Sequence, residues 1–348
     1  MLNTRRNELY NSNDVINSND LRKRIVNVDS RFRSVLTDSS TDFTYKFEHP
    51  YKNVIRARIA SVEIPNMWYE FSAANNHNTY FQICAYDISN VLQSATITIP
   101  DGNYLATDLI IAIQQQLDIK FNIPYGISIT VTIHPHAITT SFIHNGVGVP
   151  TTTVPVVTAS AKPFILNFKV PELCYKPFDF GLGSNLGFMN NFYNVTTVYD
   201  VSGSMTSYVQ ASESLVNVIG NPYIFLSIDD LHGVEQKTND NYFQCLAKII
   251  VREEKLGVIY DDGSTLLSND VIFPSPVDLK QIRVRLTNPY NQILDLNYMN
   301  FSFSLEITEV MNTKMYEFYR NYIWLGTIPS VPANVTGSAQ GLLGGKGP

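Results

Sequence analysis

Strict two-residue alternation is the feature that most constrains this chain. Phe301, Phe303, Leu305 and Ile307 alternate with Ser302, Ser304, Glu306 and Thr308, and Ile282, Val284 and Leu286 alternate with Gln281, Arg283 and Arg285. Successive side chains of a strand point to opposite faces, so each segment predicts a strand with one dry and one wet face. Two such strands argue for an antiparallel sheet packed on one side. The signature recurs at Phe43, Tyr45 and Phe47, over residues 54–64, 80–86 and 95–99, at Ile127, Ile129, Val131 and Ile133, and at Phe164, Leu166 and Phe168. Residues 223–228 form a near-continuous apolar run, suited to a central strand buried on both faces. About ten strands separated by Asn, Pro and Gly turns predict a mainly β, antiparallel sandwich or jelly roll.

One helix interrupts this pattern. Pro100-Asp101-Gly102-Asn103-Tyr104 forms a tight turn, after which Leu105, Leu109, Ile113 and Leu117 fall four apart on one face. Strand, helix and strand together predict a small α/β insertion near residues 95–145. Nothing in this stretch is catalytic. Residues 1 to about 24 are polar and aperiodic, reading as a flexible arm taken to extend to residue 40. The body then runs over 41–310, and 311–348 holds an aromatic segment and a Gly-rich tail.

The surface is short of charge. Charged residues make up 16% of 348, against an average of roughly 25%. Asn fills much of the gap, with 33 residues, many of them at turns between apolar runs. Such a surface is poorly defended against association, which implies that partners cover much of it. The net charge of −6 and the lack of a long basic stretch argue against nucleic-acid binding. No run of about 18 apolar residues is present, and the N-terminal residues are polar, so neither a spanning helix nor a signal peptide is expected. Cys84, Cys174 and Cys245 are widely spaced among apolar neighbours and read as free thiols of a reducing compartment.

Candidate chemistry gives way to plainer readings. His134 and His136 lie two apart with His144 nearby, but no Cys or acidic partner stands at ligand spacing. The 181–187 Gly-rich run lacks the Lys and the strand-to-helix context of a phosphate loop. The acidic pairs Asp229-Asp230, Glu253-Glu254 and Asp261-Asp262 would point to opposite faces of a strand. No enzymatic activity, cofactor or metal is expected.

Five motifs in order carry a resemblance. They are Val28-Asp29-Ser30-Arg31-Phe32-Arg33, Val62-Glu63-Ile64-Pro65-Asn66, the Pro100–Tyr104 turn before its Leu-patterned helix, Asn185-Leu186-Gly187-Phe188, and the strand from Phe301 to Glu309. Spread over residues 26–310, they resemble the minor capsid and penton proteins of nucleocytoplasmic large DNA viruses. One departure is Leu105, where such proteins often place a helix-capping Thr, leaving Thr107 or Asn103 to cap instead. The resemblance implies a jelly roll in an icosahedral virion capsid assembled in the host cytoplasm. It also implies the major capsid protein and other minor capsid proteins as partners, and proximity to an inner viral membrane.

Within that frame the expected function is structural: a homo-pentameric penton closing the fivefold vertices. The alternatives are a minor protein cementing major-capsid capsomers from beneath and, in another class, a glycan-binding β-sandwich. Two groups are expected at subunit contacts. Asp29, Arg31 and Arg33 alternate along an extended segment, placing three charges on one face. Tyr316, Phe318, Tyr319, Tyr322 and Trp324 form an aromatic block whose polar tips and large area suit protein contact.

Overall fold

The computed structural model describes residues 21–150, 157–170, 181–200, 206–229, 231, 234–237, 242–263, 267–268 and 270–314. In chain order the strands are β1 (Leu21–Asp29), β2 (Asp42–Pro65), β3 (Tyr80–Tyr86) and β4 (Leu92–Thr98). Helix α1 (Ala106–Leu117) and a π turn (Asp118–Asn122) precede β5 (Ile127–Ile133), β6 (Thr140–Val147), β7 (Phe164–Asn167), β8 (Phe192–Val195), β9 (Val198–Asp200) and β10 (Thr206–Ala211). The last group is β11 (Tyr223–Ile228), β12 (Val234–Lys237), β13 (Tyr242–Cys245), β14 (Ala247–Ile250), β15 (Val258–Asp261), β16 (Leu267–Ser268), β17 (Val271–Thr287) and β18 (Ser302–Val310). The protein is mainly β, and the strand pairings are antiparallel.

The largest sheet runs β1-β18-β2-β17-β11-β14-β16, with β15 on the end of β2. Its pairing is nested: the first strand meets the last, and the second meets the next to last. The inward positions that alternation marks on β17 and β18, including Val284, Leu286, Phe303 and Leu305, are buried in its core. β11 is buried on both faces, as its unbroken apolar run requires. Ile224, Leu226 and Ile228 enter the core, while Phe225 meets the ring of Phe243 at 5.2 Å on the other side.

Between β2 and β11 the chain builds a second core. Two four-stranded sheets, β4-β3-β7-β8 and β5-β6-β10-β9, enclose it with α1. Its buried residues run from Phe71 to Val195, so the helix belongs to a much larger assembly than the stretch 95–145. Phe81 stands 5.4 Å from both Phe142 and Phe168, and Phe168 stacks on Phe188 at 4.8 Å.

Three expectations are corrected. Residues 21–29, within the expected N-terminal arm, form β1 and pair with β18 along their full length. The segments around 43–47 and 54–64 are one strand, because the chain absorbs Pro50 in a bulge instead of ending there. The register slips between Leu279↔Tyr51 and Gln281↔Lys46, and Asn53 takes the left-handed φ of 55°. In α1, Leu109, Ile113 and Leu117 are fully buried, but Leu105 is 69% exposed at the N-cap, with no capping side chain. Asn103 does not cap the helix; it accepts the Glu70 amide at 2.9 Å and donates to the Trp68 carbonyl at 3.3 Å.

His144 is buried within the second core, its Nδ1 2.7 Å from the Lys162 carbonyl and its Nε2 without a partner among the described residues. Burial holds its pKa below the ordinary 6.5, and the nearby Lys162 ammonium acts in the same direction. The unfolded chain therefore binds this proton more tightly than the folded one. Stability from a neutral His144 is expected to be full above 6.5 and to be lost as pH falls through the folded value. Thermal melts across that range check this: His144→Leu should flatten the dependence, and an unchanged slope would refute it.

Candidate functional site

β1 ends at Asp29, whose carboxylate caps a 3-10 turn, Ser30–Phe32, by accepting the Arg31 amide at 2.9 Å. The Arg31 guanidinium folds back onto the same carboxylate, with Nε 2.9 Å from Oδ2. That contact outweighs burial and holds the Asp29 pKa below its ordinary 3.8. Asp29 is itself buried and fully engaged within the chain. Arg33 turns the other way, donating to the carbonyls of Ser30 and Leu36 at 2.8 Å each and to Asn300 Oδ1 at 3.3 Å. The expected single charged face is therefore not formed. The 3-10 turn breaks the two-residue period, and two of the three charges hold the loop together while Arg31 alone presents a largely exposed side chain.

This loop is stitched to the segment before β18. Ser30 and Phe301 exchange backbone and side-chain bonds at 2.9 and 3.0 Å, and the Ser40 hydroxyl donates to the Met299 carbonyl at 2.7 Å. The two loops so joined at one end of the large sheet carry exposed apolar side chains. Phe32 and Leu36 are each 70% exposed and Tyr298 is fully exposed, with Val35 and Met299 beside them in sequence. Tyr298 stands on strained backbone: it and Asn297 take positive φ of 65° and 52°. Asn tolerates that region, whereas Tyr pays roughly 1–2 kcal/mol for it. Asn297 is pinned by its amide on Asp295 Oδ1 at 2.9 Å and its side chain on the Met67 carbonyl at 2.6 Å, which fixes the presentation of Tyr298.

Sequence reasoning missed these exposed apolar side chains. Their one available signal was Phe32, Val35 and Leu36 without alternation in a polar stretch. The block Tyr316, Phe318, Tyr319, Tyr322 and Trp324 lies outside the described residues, as does Cys174.

Other candidates fall apart in space. His134 and His136 sit in the turn after β5, ring centroids 6.2 Å apart, while His144 is buried against the Lys162 carbonyl. Among the described residues no group of three His, Cys, Asp or Glu could hold a metal ion. Cys245 is a buried thiol whose pKa burial pushes up to about 12. No helix among the described residues is long and apolar enough to cross a membrane.

A polar junction separates the two cores. Glu70 is buried there; its Oε1 accepts from Trp68 Nε1 at 2.8 Å and from Lys255 Nζ at 2.6 Å. The Lys255 ammonium also lies 4.3 Å from the Trp68 ring centre and donates to the Trp68 carbonyl at 3.1 Å. Burial lowers the Lys255 pKa from 10.5, with Glu70 opposing. Beside this pair opens a cavity of about 270 Å³, lined by residues 68–70, 72, 74–77 and Asp101 and by Asn221, Ile224, Asn288, residues 292–295 and Asn297.

No protein-family model matches this chain, and no curated protein matches it. Among solved structures, the cryo-EM structure of the Sputnik virophage aligns with a TM-score of 0.38 at 13% identity, over 82% of this chain and 98% of that one.

Proposed function

We propose that this protein is a non-enzymatic structural component of an icosahedral viral capsid, and specifically the penton, with five copies closing each vertex. The observation that carries this reading is the exposure of Phe32, Val35, Leu36, Tyr298 and Met299 on two loops bonded to each other at one end of the large sheet, which we read as one apolar patch. Contiguous exposed apolar surface on an ordered scaffold is the mark of a protein contact, and burial against a neighbour compensates for the backbone strain at Tyr298. A head-to-tail contact of this kind closes into a ring when its rotation allows. The motif resemblance over residues 26–310 supplies the class, and the low surface charge agrees with a molecule covered by neighbours.

We read the body as a jelly-roll derivative. Nested pairing of first strand with last, and second with next to last, is what a long antiparallel ribbon makes when it folds over, and jelly rolls are wrapped from such a ribbon. Arg31 lies at the edge of the patch as a rim charge, whereas Asp29 and Arg33 act as positioning residues for the loop. The major capsid protein is the expected neighbour in the shell.

The deciding experiment is a cryo-EM map of the assembled particle with this chain traced in it. About 60 copies at the fivefold vertices are expected. Chain density beneath the capsomers and away from the vertices gives the cementing role instead, and absence from the particle removes the capsid reading. In solution, the full chain should self-associate in sedimentation equilibrium, and Leu36→Ser with Tyr298→Ser should weaken that association at least about tenfold.

A further inference from the structure

We infer that the cavity at the junction of the two cores is a binding site for a neutral sugar ring. Its volume of about 270 Å³ suits one or two pyranose units. The lining includes the amides and the carboxylate of a polyol site. Glu70 is 7% exposed and one of its oxygens is saturated by Trp68 and Lys255, yet among the described residues no donor reaches Oε2. That oxygen lies beside Gly220, whose positive φ and missing side chain make the space it occupies; a Cβ there would fall inside the carboxylate. A carboxylate oxygen so placed calls for a hydroxyl donor.

The cavity is also lined by Asn75 and Asn221, whose side chains engage no other described residue, and by the 44% exposed Tyr69. Primary amides both donate and accept, which matches adjacent sugar hydroxyls that do the same. An aromatic ring supplies the apolar face on which sugar C–H bonds pack.

The charge pattern separates this ligand from others. No Lys or Arg lines the cavity, so an anionic ligand would face the carboxylates of Asp101 and Asp295. A cationic ligand would compete for Glu70 with the Lys255 ammonium, which already stands 2.6 Å from it. A neutral polyol meets neither obstacle. The inference stands on this geometry and is independent of the capsid reading, since a vertex protein and a free one would carry the same cavity.

The test is saturation-transfer NMR on the full chain. The probes are glucose, galactose, mannose, fucose and N-acetylglucosamine, with sialyllactose and spermidine as charged comparators. At least one neutral sugar should bind at or below about 10 mM, and Tyr69→Ala and Asn75→Ala should each weaken it about tenfold or more. Both residues are partly or fully exposed, so the variants should fold, and unchanged melting curves establish that they do. Binding of no neutral sugar, tighter binding of either charged comparator, or retention of affinity in both variants overturns the assignment.

Discussion

Phe81→Ala should cost about 3–5 kcal/mol of unfolding free energy, among the largest losses any single substitution here can produce. Phe81 is 1% exposed on β3, a strand held on both sides by β4 and β7. Its ring meets Phe142 on the opposing sheet and Phe168 on its own side, and Phe168 in turn stacks on Phe188. The ring thus bridges the two four-stranded sheets. Truncation removes its transfer free energy and leaves a cavity among the Phe142 and Phe168 rings, which strands of two sheets hold in place. Phe81→Leu, which keeps more of the volume, should cost clearly less. Urea denaturation with an unchanged m value measures both, and equal losses for the two variants would contradict bridging by the ring.

Lys255→Met should cost a similar amount, about 3–5 kcal/mol, because it strands the buried Glu70 carboxylate without its counter-charge. Replacing both partners is a different matter. Glu70→Gln with Lys255→Met removes both charges and keeps an acceptor for Trp68 Nε1, so its loss should fall well below the sum of the single losses. Additive losses would show that the pair does not act as a unit. The pH dependence has a definite sign. Since burial lowers the Lys255 pKa below 10.5, the unfolded chain binds that proton more tightly, and this residue makes stability rise with pH between its folded value and 10.5. Lys255→Met should remove that rise.

Much of the sheet was legible because one-sided burial writes itself into alternate residues. β18, β17 and β3 follow their patterns closely, and β11 shows the continuous run that two-sided burial demands. β2 was harder, because Pro50 is a local stop signal that long-range pairing with β17 and β18 overrides. Of the four residues that the four-residue spacing marks for the dry face of α1, three are buried. It could not tell that Leu105 sits one position before the helix begins. The Glu70–Lys255 contact joins residues 185 apart, and no local pattern records such a meeting. The apolar patch was hidden for a related reason: exposure belongs to the folded surface, and in the sequence Phe32 and Leu36 look like any core residues.

The meeting of β1 with β18 also governs the order in which the molecule can be made. During synthesis β1 emerges early and waits while some 270 further residues are added before its only partner among the described strands exists. Until then the β2 positions that β18 will cover, such as Ile59 and Val62, lie along an open edge. Closure of the large sheet is thus a late event by construction, since loop closure on that scale precedes any reward from the contacts. A nascent chain stalled short of residue 302 is the form most prone to pair with the wrong neighbour.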